Sequence, residues 1–213
     1  MEWRLYSSFV VSYISEFDCS RRRFVHIARK YRKTNCLPRE AENMMIRTER
    51  REDIPHVRKV NELAFEQTTE ADIVDKIRNA CAESISLVAD DGRVIAGHIF
   101  FSPVVLHSSA GNLSGMGLGP MAVLPDRQRQ GIGSGLVRRG LEILRETGCP
   151  FVIVLGHPAY YPRFGFEPAS RYGLRCQWDG IPDEAFMVLI LDRTAMDGVT
   201  GEVRYRAEFA EAV

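Results

Sequence analysis

A strand that runs straight into a helix opened by glycines limits this chain more than any other feature of its sequence. Met121-Ala122-Val123-Leu124 is apolar and Pro125-Asp126-Arg127-Gln128-Arg129-Gln130 is polar. Gly131-Ile132-Gly133-Ser134-Gly135-Leu136 then begins a helical pattern that reaches Thr147. The first amides of a helix have no partner inside it, and the helix dipole places partial positive charge there. Glycines carry no Cβ, so a phosphate can approach those amides closely, and Arg127 and Arg129 add charge beside them. The segment predicts a pyrophosphate-binding turn; the plain alternative is a helix end packed on a sheet with no ligand. A P-loop ending in Gly-Lys-Ser/Thr is absent, and the spacing G-x-G-x-G is not that of the dinucleotide fingerprint.

The elements around the turn define the fold class. Ile46-Arg47-Thr48 reads as a short strand, and Ile54, Val57, Val60 and Ala64 recur at helical spacing to about Phe65. Ile73, Val74, Ile77, Ala80 and Cys81 mark a second helix from near Thr69. Ser84–Asp90 and Val94–Leu106 read as strands around a tight Asp91-Gly92 turn. His107–Asn112 reads as a small-residue loop and Leu113–Leu124 as the next strand. Gly115, Gly117, Gly119 and Pro120 inside that strand signal a bulge, an edge, or close approach of backbone to a ligand. Gly148 stops the helix 131–147, and Phe151–Leu155 is a fully apolar, buried strand. A helical turn at Tyr160–Phe164 and a strand at Phe186–Leu191 complete the order β-α-α-β-β-β-α-β-α-β. An α/β fold follows, a mixed sheet with helices on both faces.

Charge and cysteine usage exclude several classes. Lys+Arg and Asp+Glu both number 28, so nothing calls for a nucleic-acid partner. Nine basic and five acidic residues fall within 1–44, in a segment without apolar periodicity. Residues 1–44 are therefore expected to form a basic, disordered extension, or to reflect an over-extended start with Met44 or Met45 as the first residue. The domain is expected to occupy residues 45–213. The five cysteines are scattered, with no C-x-x-C pair, so neither a zinc site nor a disulfide framework is expected, and a reduced cytoplasmic setting fits. No apolar run approaches the 18–20 residues or so that span a bilayer, so no membrane role is expected.

Gln128-Arg129-Gln130-Gly131-Ile132-Gly133 resembles the acetyl-CoA signature of the GNAT superfamily, Gln/Arg-x-x-Gly-x-Gly/Ala. A second segment, Tyr161-Pro162-Arg163-Phe164-Gly165-Phe166, is similar to the superfamily's later Tyr-x-x-x-Gly-Phe motif. The resemblance covers about residues 45–193. The Gly117–Pro120 run, the Tyr160-Tyr161 pair and Val203-Arg204-Tyr205 look like a bacterial branch that implies no particular substrate. The resemblance implies a mixed, mostly antiparallel β-sheet flanked by helices on both faces, and acetyl-CoA as cosubstrate. Met121, Ala122, Val123, Gln128, Arg129, Gln130, Gly131, Ile132, Gly133 and Ser134 would hold it. The acetyl group would pass to an amine of a small molecule or protein, and a homodimer is the assembly such proteins often form.

Acetyl transfer needs a neutral amine, a polarised thioester carbonyl and a proton for the departing thiolate. In the superfamily, strand amides polarise the carbonyl, here those of Met121 to Val123. A tyrosine hydroxyl protonates the thiolate; Tyr161 is the candidate and Tyr160 its substitute. The general base stays open among Glu66, Glu70, His157, His98 and a water chain. No metal is expected. A non-catalytic module that binds acyl-CoA as a sensor is the competing reading.

Overall fold

The computed structural model describes residues 44–212, so the extension expected over residues 1–44 lies, Met44 apart, outside the described residues. Strands β1 (Met45–Thr48), β2 (Ile85–Asp90), β3 (Ile95–Ser108), β4 (Gly111–Val123) and β5 (Phe151–Leu155) follow one another across the sheet. Beyond β5 lie β8 (Phe186–Ile190) and then the two-residue β6 (Glu167–Pro168). Strand β9 (Gly201–Arg204) pairs with the outer half of β3 and with β7 (Leu174–Cys176). Among the described residues only β4–β5 and β7–β9 are parallel, so the sheet is mixed and mostly antiparallel.

Helices α1 (Ile54–Phe65) and α2 (Thr69–Ala80) cover one face and α3 (Ile132–Glu146) the other. The two-residue period of the strands divides the core between them. Leu87, Ala89, Ile99, Phe101 and Leu118 meet Leu136, Val137, Leu141 and Leu144 of α3. Val88, Phe100 and Ala122 point the other way, against Val57 and Val60 of α1 and Ile73, Val74 and Ile77 of α2. Each such side chain, fully buried, contributes about 1.5–3 kcal/mol, which outweighs the modest intrinsic helix propensity of so many β-branched residues. Arg47 ties the first elements together, pairing with Asp53 ahead of α1 at 2.6 Å and with Asp90 of β2 at 2.8 Å.

The structure corrects several sequence expectations. The loop foreseen at 107–112 is strand on both sides, because Ser108 pairs with Gly111 and only Ser109 and Ala110 make the turn. The chain after Phe164, read from sequence as holding one further strand, carries β6, β7 and β9 besides β8. Glycines 115 and 117 do not open the strand to a ligand. A Cβ at Gly115 would fall 2.5 Å from the Phe151 ring, and one at Gly117 2.9 Å from the Tyr205 ring, so they make room for the protein's own aromatics. No helix among the described residues is long and apolar enough to cross a membrane.

Candidate active site

The site begins where β4 loses one of its neighbours. The β3–β4 register slips between Ile99 and Phe101, leaving both Gly119 and Pro120 opposite Phe100, a β-bulge. Parallel pairing with β5 covers only Met116–Leu118. Past the bulge β4 therefore keeps β3 on one edge and has an open edge on the other. The Leu124 N–H donates to Ala96 O at 2.9 Å. Antiparallel ladders alternate, so the Ala122 amide also faces β3, whereas those of Met121 and Val123 face the open edge. This narrows the expectation for Met121–Val123: Ala122 spends its amide on the ladder and its side chain on the α1–α2 face.

The open edge leads into the glycine turn. Pro125–Arg127 forms one 3-10 turn, and Arg129 and Gly131 then take positive φ of 63° and 86°. Gly131 caps α3, and a left-handed backbone there suits a residue without Cβ. The helical ladder starts with Gly135 N–H donating to Gly131 O at 2.9 Å, so the amides of Ile132, Gly133 and Ser134 precede it and point out of the helix end. Gln128 Nε2 donates to Val123 O at 3.2 Å, bracing the turn on the strand, and Gln130 Nε2 donates to Asp126 O at 3.3 Å. The Ile132 side chain is buried in the core, leaving only its amide for a ligand. Gly135 serves packing, since a Cβ there would lie 2.8 Å from Ile46 Cδ1 of β1. Arg129 is exposed beside the turn, but Arg127 is not free to serve it as expected. Its guanidinium lies 3.7 Å from Asp91 and 4.0 Å from Asp126.

The two tyrosines after β5 take different posts. Tyr161 starts a 3-10 turn, Tyr161–Phe164, and is buried, its ring lying on Gly156 where a Cβ would come within 2.1 Å, and 5.7 Å from the Phe166 ring. Tyr160 points toward α3: its hydroxyl is 3.0 Å from where a Cβ of Gly133 would stand. Burial raises the Tyr160 phenol above its ordinary value, opposed by a hydrogen bond from Ser134 and by Arg163 and Arg138. The Arg163 guanidinium lies over the Tyr160 ring, 4.6 Å from its centroid. Sequence reasoning put Tyr160 in reserve for Tyr161; the structure puts its hydroxyl at the helix start, a position that only the fold of the 156–160 loop reveals.

The base candidates separate by environment. His98 is fully buried, and burial, aided by Arg78, pushes it down to about 3. Asn61 Nδ2 donates to its Nδ1 at 3.0 Å, and its Nε2 lies 3.0 Å from Ser86 Oγ, which in turn donates to Glu49. It is a satisfied core histidine. His157 Nδ1 accepts the Ala159 N–H at 3.1 Å, which stiffens the loop. Glu66 is the exposed C-cap of α1, with φ of 56°. Glu70 is 1% exposed, and burial raises its carboxyl, opposed by Gln67 Nε2, which donates to both oxygens at 3.0 Å. A buried carboxylate of raised pKa is the environment proton abstraction calls for.

Comparison with known proteins points one way. A family model described as an acetyltransferase (GNAT) domain matches residues 45–169. The chain is 40% identical over 168 residues to the uncharacterized N-acetyltransferase YhbS of Escherichia coli K12, which spans 78% of this chain and 98% of that one. The crystal structure of Escherichia coli YhbS in complex with CoA superposes with a TM-score of 0.73 at 36% identity, covering 84% of this chain and 96% of that one. A GNAT family acetyltransferase from Brucella melitensis in complex with acetyl-CoA follows at 0.65 and 37% identity, covering 78% and 98%.

Proposed function

The chain belongs to the GNAT acetyltransferase family and is an acetyl-CoA-dependent acetyltransferase, and we propose that its acceptor is an amine and that Tyr161 is its general acid. The observation that carries this reading is the run from the open edge of β4 into the glycine-opened α3, with Tyr161 starting the 3-10 turn that follows β5. In it, the pyrophosphate rests on the amides of Gly131–Ser134, with Gln128, Arg129 and Gln130 forming the preceding loop and Tyr160 closing over Gly133. The Met121 and Val123 amides face the thioester oxygen and stabilise the negative charge that gathers there. The amine lone pair attacks the carbonyl carbon, the C–S bond breaks, and the Tyr161 O–H gives its proton to the thiolate. Glu70, whose carboxyl is raised by burial, takes the proton from the amine. A cytoplasmic setting and a homodimer belong to the same reading, and light scattering on the eluting protein decides the latter.

The test is free CoA release from acetyl-CoA over a panel of amines, polyamines, amino acids and peptides, with Tyr161→Phe in parallel. Release that depends on one amine class and falls about 10²-fold or more in the variant supports the reading, as loss of a general acid does. Equal release by both proteins removes Tyr161 from the mechanism. Acetyl-CoA binding with no turnover on any acceptor favours a sensor.

A further inference from the structure

Two arginines stand over the aromatic pair beside the start of α3. Arg163 of the Tyr161–Phe164 turn lies on the Tyr160 ring, 4.6 Å from its centroid, and Arg138 of α3 lies on the Phe164 ring at 5.7 Å. Tyr160 and Phe164 meet edge-on at 5.5 Å, so the two guanidiniums belong to one cluster built by α3 and the segment after β5. Both arginines are exposed, and among the described residues neither pairs with a carboxylate. Their neighbours do: Arg139 pairs with Glu142 at 3.2 Å, and Arg127 lies between Asp91 and Asp126. Arg163 Nη2 donates to Ala159 O at 3.3 Å, which steadies it without neutralising it. Burial raises the Tyr160 phenol, and the Ser134 hydrogen bond and then these two charges oppose it, so both arginines lie within electrostatic reach of the hydroxyl at Gly133.

A guanidinium resting on an aromatic face is held in place while the N–H donors at its rim stay available. Two such groups without counter-ions suit a phosphate monoester, which offers two negative charges and several acceptor oxygens. Side chains on a helix lean toward its N-terminus, so Arg138, one turn of about 5.4 Å beyond Ser134, reaches back toward the helix start. Acetyl-CoA carries a pyrophosphate with the pantetheine and thioester on one side and adenosine 3′-phosphate on the other. The thioester arm runs into the gap between β4 and β5, which sends the adenosine outward, over the exposed surface where the arginines stand. Resting on the placement of the pyrophosphate at Gly131–Ser134 given above, we propose that Arg138 and Arg163 bind the 3′-phosphate of acetyl-CoA. They thereby select CoA thioesters over those of 3′-dephospho-CoA. Tyr160 and Phe164 are the platform that positions both charges.

The experiment is calorimetry on the full chain, with wild type, Arg138→Gln, Arg163→Gln and the double variant titrated with CoA and with 3′-dephospho-CoA. Wild type is expected to bind CoA about 20-fold more tightly than the dephospho compound. Each single substitution lowers CoA affinity about fivefold, the effect of one exposed ion pair, and leaves 3′-dephospho-CoA affinity unchanged. The double variant binds the two compounds alike. Because the dephospho compound keeps the pyrophosphate and pantetheine, its unchanged affinity also reports an intact fold. Wild type that binds both compounds equally overturns the proposal, as does a preference for CoA that survives in the double variant. Substitutions that weaken both compounds equally overturn it too, since the arginines then serve the pyrophosphate or the fold. Gly133→Val, titrated alongside, should weaken both compounds. If it weakens neither, the pyrophosphate lies elsewhere and the proposal falls with that reading, a result distinct from discrimination indifferent to the arginines.

Discussion

Replacing His98 removes a group whose burial makes the fold sensitive to acid. The free imidazole value is 6.5, and inside the sheet it is about 3. A group held below its unfolded value favours the fold above the unfolded pKa, and that advantage disappears as pH falls toward the folded pKa. At pH of about 4.5 the unfolded chain binds a proton there that the fold refuses. The interval of about two pH units, at about 1.36 kcal/mol each, is a loss of roughly 3 kcal/mol relative to neutral pH. His98→Leu also loses the contacts to Asn61 and Ser86, which lowers stability at every pH, so the informative quantity is the difference between two pH values. Urea unfolding of both proteins at pH of about 7 and about 4.5 measures it. The wild type should lose roughly 3 kcal/mol more than the variant between those pH values. Equal losses would refute a buried neutral His98 and return it to the list of titrating site residues.

Three further outcomes follow from contacts already described. Gly140→Ala drives a Cβ to 2.3 Å from the Phe101 ring; overpacking at about 1–3 kcal/mol exceeds the helix-propensity gain of about 1 kcal/mol, so a thermal melt should show a less stable protein, and a more stable one contradicts the packing. Gly133→Val sets a branched side chain against Tyr160 Oη and Met121, and calorimetry should find acetyl-CoA affinity down by about tenfold or more, about 1.4 kcal/mol, with the melting temperature little changed. Glu70→Gln should abolish the acid limb of the kcat/KM profile, which in wild type lies above the ordinary carboxylate range because burial raises Glu70; a limb that survives the substitution excludes Glu70 as base.

The glycine turn was legible because its chemistry is local: the amides that precede the α3 ladder sit where Gly131, Ile132, Gly133 and Ser134 stand in sequence. The helices and long strands were legible because apolar period reports which face is buried. Other features depend on pairing between distant segments. Whether the amide of Met121, Ala122 or Val123 faces the gap is set by the β3 register, which no property of those residues encodes. Arg127 reads as a phosphate ligand until the β2–β3 turn brings Asp91 beside it. Strands β7 and β9 are three and four residues long and are held by each other and by the end of β3, too short for a period to show. Gly117 reads as room for a ligand, yet the ring it admits is Tyr205, from the last strand's exit.

The central claim is acetyl transfer to an amine with Tyr161 as proton donor. The most direct measurement is mass-spectrometric detection of acetylated amine after incubation with acetyl-CoA bearing a labelled acetyl group, for wild type and Tyr161→Phe together. The account predicts labelled product from one amine class with wild type, and about 10²-fold less with a variant that still binds acetyl-CoA. Labelled product formed equally by the variant, or labelled acetate alone from every amine, contradicts it.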